Sequence, residues 1–227
     1  MRRLLRHLLA APLAALLLAG PTAAAPIDIV DDQGQALRLA QPARRIVSLA
    51  PHITELLYAA GAGDRLVGAV QYSDYPEAAK KLPRVGGYSA VDMEQVIALK
   101  PDLVVAWKSG NRNAHLDKLR ALGVPVFINE PRRIDDVAKS LAQFGRLAGT
   151  GAAGEAAAKA FRARHAALAA RYSGRPKLRL FYEAWNRPLM TINGEHLISD
   201  VIRLCGADNV FAKLPVLAPT VDVGSVL

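Results

Sequence analysis

Apolar residues along this chain fall into two kinds of run. Short runs rich in branched side chains, at 45–49, 66–70, 103–107, 124–128 and 178–183, read as strands. Longer runs with a three-to-four-residue apolar repeat lie between them, at 54–60, 92–99, 115–122 and 134–147. Gly61, Gly123 and Gly149 follow three of these, each suited to the left-handed residue that closes a helix. Strands alternating with helices of this size predict parallel sheets built from βαβ units. A further helical run, 154–172, is longer than its neighbours and carries Phe161, His165 and Leu168 at spacings of four and three. It precedes the run at 178–183, so it is expected to be a rigid helix joining two α/β lobes. The expected plan is a leader at 1–24, an N-terminal α/β ligand-binding lobe at 25–150, a connecting helix at 151–174 and a partial C-terminal α/β lobe at 175–227.

The expected leader rests on Arg2, Arg3 and Arg6 followed by an uncharged Leu/Ala-rich run at 8–20, the pattern of a secretory signal peptide. That run is shorter than the roughly 20 residues a helix needs to span a bilayer, which disfavours a permanent anchor. Thr22 and Ala24 supply small residues before a cut at Ala25, and no cysteine near the cut supports a lipid anchor. The mature chain is therefore expected in the periplasm as a soluble protein.

Charge narrows the partners. The formal net charge is +9, of which Arg2, Arg3 and Arg6 contribute three, leaving +6. Basic residues such as Arg44, Arg45, Lys80, Lys81, Arg132 and Arg133 are scattered and not interleaved with aromatics, so nucleic acid is not an expected partner. Enzyme chemistry finds little support either. Asp74, Glu94, Glu183, Glu195 and His52 could serve acid–base roles, but no nucleophile elbow or phosphate-cradling loop accompanies them. The glycines at 61 and 63, and at 149, 151 and 154, lack the strand–turn–helix setting of a nucleotide fingerprint. His115, His165 and His196 show no spacing for a shared metal site, so no metal or cofactor is expected.

In open α/β sheets, ligands bind beyond the carboxyl ends of the strands. Those ends carry a concentration of rings. The first strand runs into Pro51 and His52, the second into Tyr72 and Tyr75, the third ends on Trp107, and the 178–183 run is followed by Trp185. Tyr88 follows Gly86 and Gly87 on the approach to the next helix. Such aromatics can form the rim of a core. As a set with few charges among them, they suit a large, flat, mostly apolar ligand.

Four segments, 45–61 (RIVSLAPHITELLYAAG), 72–76 (YSDYP), 85–107 (VGGYSAVDMEQVIALKPDLVVAW) and 204–211 (LCGADNVF), carry a family resemblance. The chain resembles the periplasmic binding proteins of vitamin B12 importers, within the wider group that binds haem and ferric siderophores. ALKPDLV marks the wider group, whereas YSDYP together with VVAW and the following Gly110 and Asn111 points to the B12 branch. The resemblance implies two α/β lobes joined by one long helix, acting as a monomer and holding cobalamin or a related corrinoid as transported ligand in the cleft between them. The implied partner is the permease of an inner-membrane ABC importer. A haem or ferric siderophore carrier is the alternative within the family, and a small periplasmic hydrolase the alternative outside it.

By that resemblance Tyr72, Tyr88 and Trp107 stand where relatives place aromatics against the ligand, with Trp185 and His52 as further candidates. His52 could line the cleft or coordinate a metal-centred ligand, or simply hydrogen-bond at a helix start. Glu94 matches a surface glutamate that docks on permease arginines, though an acid in the first turn of a helix opened by Asp92 also complements the helix dipole. Three features depart from the family. Ala218 falls where a C-lobe tryptophan would contact ligand, Gly224 where a second docking glutamate would stand, and the chain stops at Leu227, so the C-terminal lobe is expected to be truncated. Cys205, the only cysteine, matches a half-cystine whose partner would lie beyond residue 227; a buried, inert thiol is the other reading.

Overall fold

The computed structural model describes residues 25–172, 174 and 176–226. The expected leader, 1–24, lies outside the described residues. In chain order the elements are β1 (Ile27–Val30), β2 (Ala36–Leu39), β3 (Ile46–Ser48), α1 (Pro51–Ala59), β4 (Leu66–Ala69), α2 (Met93–Ala98), β5 (Leu103–Trp107), α3 (Asn113–Ala121), β6 (Val126–Asn129), α4 (Ile134–Ala148), α5 (Gly151–Tyr172), β7 (Leu178–Leu180), β8 (Trp185–Asn186), β9 (Leu189–Met190), α6 (Leu197–Leu204) and β10 (Ala207–Asn209). They form two α/β lobes, each with a parallel sheet, joined by the long helix α5.

The N-terminal lobe is built on a four-stranded parallel sheet in the order β4-β3-β5-β6. Every residue of β3 and β6, and all of β5 up to Trp107, is buried, as expected where helices cover both faces of a parallel sheet. Alternate residues divide between two cores. Ile46, Leu103, Val105 and Phe127 pack with Ile53 and Leu57 of α1 and Leu141 and Phe144 of α4. Val47, Val104, Ala106, Val126 and Ile128 pack with Val96 of α2 and Leu116 and Leu119 of α3. The chain leaves β3 toward β4 on one side and returns to β5 on the other. The strand order therefore reverses between the carboxyl ends of β3 and β5, the crevice where open α/β sheets place their ligands.

Several elements differ from the pattern-based expectation. The antiparallel hairpin β1–β2 precedes the first expected strand; its turn is set by Asp31, whose Oδ1 accepts the Gln33 and Gln35 amides, each at 2.9 Å, and by Gly34 at φ 78°. The last sheet strand begins at Val126, past Pro125, which has no N–H to donate to a ladder. The run at 178–183 yields a strand only over Leu178–Leu180, and α6, β10 and the small β8–β9 hairpin complete the C-terminal lobe.

Helices α4 and α5 pack against each other across a glycine contact. A Cβ on Gly154 would lie 2.7 Å from the Leu141 carbonyl oxygen and 2.9 Å from Gly145 Cα, so the two backbones approach as only glycine allows. Beyond that contact α5 is largely exposed as it leads to the second lobe. There β7 and β10 pair in parallel, and Ile192, Ile202 and Ala207 form a small core with Leu180, Tyr182 and Ile198.

Candidate ligand-binding cleft

At the carboxyl end of β3 the chain turns straight into α1. Pro51 opens this helix, where its missing N–H costs nothing, and places His52 in the first turn facing the crevice. Below it a buried hydroxyl cluster fixes the turn: Thr54 Oγ1 lies 2.8 Å from Ser48 Oγ and 3.1 Å from Ser73 Oγ. The His52 ring meets Trp107 edge-on, with centroids 5.4 Å apart and planes at 84°. Burial holds the His52 pKa down at about 4, against an opposing pull from the Asn129 side chain. The imidazole is therefore neutral at neutral pH. Its Nε2 and Asn129 Oδ1 are both buried without a well-formed hydrogen bond.

Trp107, the last residue of β5, is held by the turn between β5 and α3. A Cβ at Gly110 would fall 1.8 Å from the Trp107 ring, so the indole rests directly on the Gly110 backbone. Asn111, 5 % exposed, accepts the Trp107 amide on Oδ1 at 2.7 Å and donates Nδ2 to the carbonyls of Tyr88 at 2.7 Å and Leu49 at 3.0 Å. One side chain thus ties together the ends of β3 and β5 and the loop that carries Tyr88. Tyr88 stands beside Trp107 with centroids 5.8 Å apart and is 43 % exposed. His52 and Trp107 form an aromatic wall lining the cleft, and Tyr88, against Trp107, continues it beyond the cleft lining.

Facing that wall is the start of α6. His196 caps this helix, its Nδ1 accepting the Ile198 amide at 3.1 Å, and burial lowers its pKa against the pull of nearby Glu130. His196, Leu197 and Leu217 close the far side of a cleft of about 370 Å³ whose near side is His52, Leu56 and Trp107. The lobes are bonded beside it. Asp200 of α6 accepts the Ile134 amide at the start of α4 at 2.8 Å and lies 3.5 Å from Arg133, while Arg132 lies 3.2 Å from Glu195. Burial would raise the Asp200 pKa, but the Ile134 amide and the guanidiniums of Arg203 and Arg133 outweigh it and hold it below the usual carboxylate value.

Other residues singled out in the sequence lie elsewhere. Tyr72, at φ 65° and 76 % exposed, follows the Gln71–Gly86 backbone bond and does not line the cleft. Trp185 is 62 % exposed on β8, its Nε1 donating to the Arg187 carbonyl. Glu94 is exposed in the first turn of α2, which Asp92 caps. Cys205 is an exposed free thiol just past α6. Gly224 occupies an exposed turn, Val223–Ser225. Among the described residues no group of three or more His, Cys, Asp or Glu is arranged to hold a metal, and no helix is long and apolar enough to cross a membrane. The pattern of the sequence did not reveal Glu55, Ser109, Glu130, Arg132, His196 or Leu217 as cleft residues.

Comparison with known proteins identifies the family and the fold. The vitamin B12-binding protein of Yersinia pestis (strain Pestoides F) is 43% identical over 183 residues, covering 81% of this chain. This chain spans 65–68% of the length of such curated relatives. Among solved structures, the periplasmic vitamin B12 binding protein BtuF of Vibrio cholerae superposes with a TM-score of 0.76 at 39% identity, covering 82% of this chain and 72% of that one. The periplasmic heme-binding protein RhuT from Roseiflexus sp. RS-1 gives a TM-score of 0.67 at 27% identity, covering 79% and 70%. Residues 46–225 match the family described as periplasmic binding protein, and the chain belongs to that family.

Proposed function

We propose that this chain captures cobalamin or a related corrinoid in the periplasm and hands it to the permease of an inner-membrane ABC importer, with an N-terminal signal peptide directing export. The observation that carries this reading is the pair of rings His52 and Trp107 at the point where strand order reverses, extended by Tyr88 beside Trp107 and faced by the apolar Leu197 and Leu217. Flat rings faced by apolar side chains favour a broad, largely apolar ligand over a small polar one. Relatives named for vitamin B12 binding support the corrinoid, and the heme-binding neighbour keeps haem as the second reading. Tyr72 and Trp185 are proposed as outer contacts that a ligand larger than the cleft would reach, and Glu94 as a docking residue toward the permease. Cys205, exposed and free among the described residues, is proposed as a disulfide candidate.

The test is spectroscopic. Purified protein is incubated with cyanocobalamin and, separately, with hemin, then freed of unbound ligand. Retained cobalamin absorbance is the expected result. A retained Soret band with no cobalamin would replace this reading by the haem one.

A further inference from the structure

The charges in the cleft are arranged asymmetrically. Two carboxylates, Glu55 and Glu130, line it together with a single cation, Arg132. Glu55 lies one helical turn beyond His52 on the same face of α1, and neither it nor Glu130 has an ion-pair partner among the described residues. Glu130 is held in place, with Ser109 donating its amide to Oε2 at 2.8 Å and its hydroxyl to Oε1 at 3.0 Å. Arg132 is already engaged with Glu195 across the lobe junction at 3.2 Å. Lys108 and Lys139 open onto the adjoining depression, which Asp31, Asp32 and Asp136 line as well. Both histidines have pKa values lowered by burial, so they do not balance the carboxylates.

Resting on the corrinoid reading above, we infer that Glu55 and Glu130, the latter positioned by Ser109, select for a tetrapyrrole-like ring edged with neutral amides and against one bearing free carboxylates. An amide N–H can donate to either glutamate. A propionate placed there meets like charge, a repulsion that strengthens as the bound ligand displaces water from around it. Specificity of this kind comes from disfavouring the wrong ligand as well as from contacts to the right one.

The test uses equilibrium titrations of the whole chain with cyanocobalamin and with hemin, at low and high salt. Glu55→Gln and Glu130→Gln keep side-chain size and remove charge; together they should shift the ratio of the two affinities toward hemin by roughly tenfold or more. In the unaltered protein, raising salt should strengthen hemin binding by screening, and the double variant should lose that response. If cyanocobalamin binds but neither the ratio nor the salt response moves in the double variant, the inference is wrong and the function stands. If the unaltered protein does not bind cyanocobalamin, the function itself is wrong.

Discussion

The two lobes solve the same packing problem with very different resources. The N-terminal lobe covers both faces of a four-stranded sheet, and its side chains divide between two extensive cores. The C-terminal lobe has a two-stranded parallel sheet and a core of Ile192, Ile202 and Ala207, and it leaves Leu178, Val201, Val210 and Val216 exposed. In place of apolar area it uses polar bonds: Asn209 Nδ2 donates to the Ile192 carbonyl at 2.8 Å and lies 2.9 Å from Ser199 Oγ, and Asp200 caps α4 of the other lobe. The half of the cleft backed by extensive apolar packing therefore comes from the first lobe, and the half held largely by polar bonds from the second. A buried hydrogen-bonded network can hold geometry, but it stabilises less than a full apolar core.

The sharpest way to break this contrast is at Asn111. Asn111→Ala leaves the Trp107 amide and the Leu49 and Tyr88 carbonyls without partners, and it should cost about 3 kcal/mol of stability in urea unfolding. Ligand affinity should fall with it, because the aromatic wall loses its tie. A loss under about 1 kcal/mol would show that Gly110 and the sheet hold Trp107 unaided.

Next in size is a pH effect confined to the first lobe. His52 has its folded pKa pushed below the ordinary 6.5 to about 4. The unfolded chain therefore takes up a proton before the native one does. Stability should decline as pH falls from about 6.5 to about 4 and level off below that, by a total of about 3 kcal/mol attributable to this residue. His52→Gln should flatten that part of the curve, and an unchanged slope would place the titration elsewhere.

A smaller effect should separate the lobes. Asp200→Ala removes the cross-lobe cap of α4 and should cost about 1–2 kcal/mol. Because the Asp200 pKa is depressed by its partners, its stabilisation is present above the unfolded value near 3.8 and is lost as pH falls through the folded one. Hydrogen exchange should speed up in α6 and at the start of α4 while β3 and β5 stay protected. Uniform acceleration would mean that the lobes unfold as one unit. Smallest of all, Glu94→Lys should leave ligand affinity within error and weaken association with the permease; equal uptake rates for both forms would return Glu94 to its local role in the first turn of α2.

Legibility in the sequence followed the same division between lobes. β5 and the helix-closing glycines were readable because continuous burial and a positive φ leave a direct mark on composition: Gly61, Gly123 and Gly149 sit at φ 76°, 78° and 74°. α6 was not read, although Leu197, Ile198, Val201, Ile202 and Leu204 repeat at helical spacing with Ser199, Asp200 and Arg203 on the opposite side, because the run is only eight residues long. At the candidate site, His52 and Trp107, with Tyr88 beside them, were visible as rings near strand ends. Asn111 was visible as part of a motif but not as the tie between three segments. Ser109 meets Glu130 through the pairing of β5 with β6, and His196 joins them only across the lobe junction; no local pattern reports either.

The central claim is that a flat ligand lies against the wall at the reversal of strand order. Calorimetric titration of cyanocobalamin into the unaltered chain and into Trp107→Ala tests it most directly. One-to-one binding weakened by about 1–3 kcal/mol in the variant, with a smaller change in stability, is the predicted result. Equal affinity for both proteins would make Trp107 part of the rim packing and remove the cleft from the account.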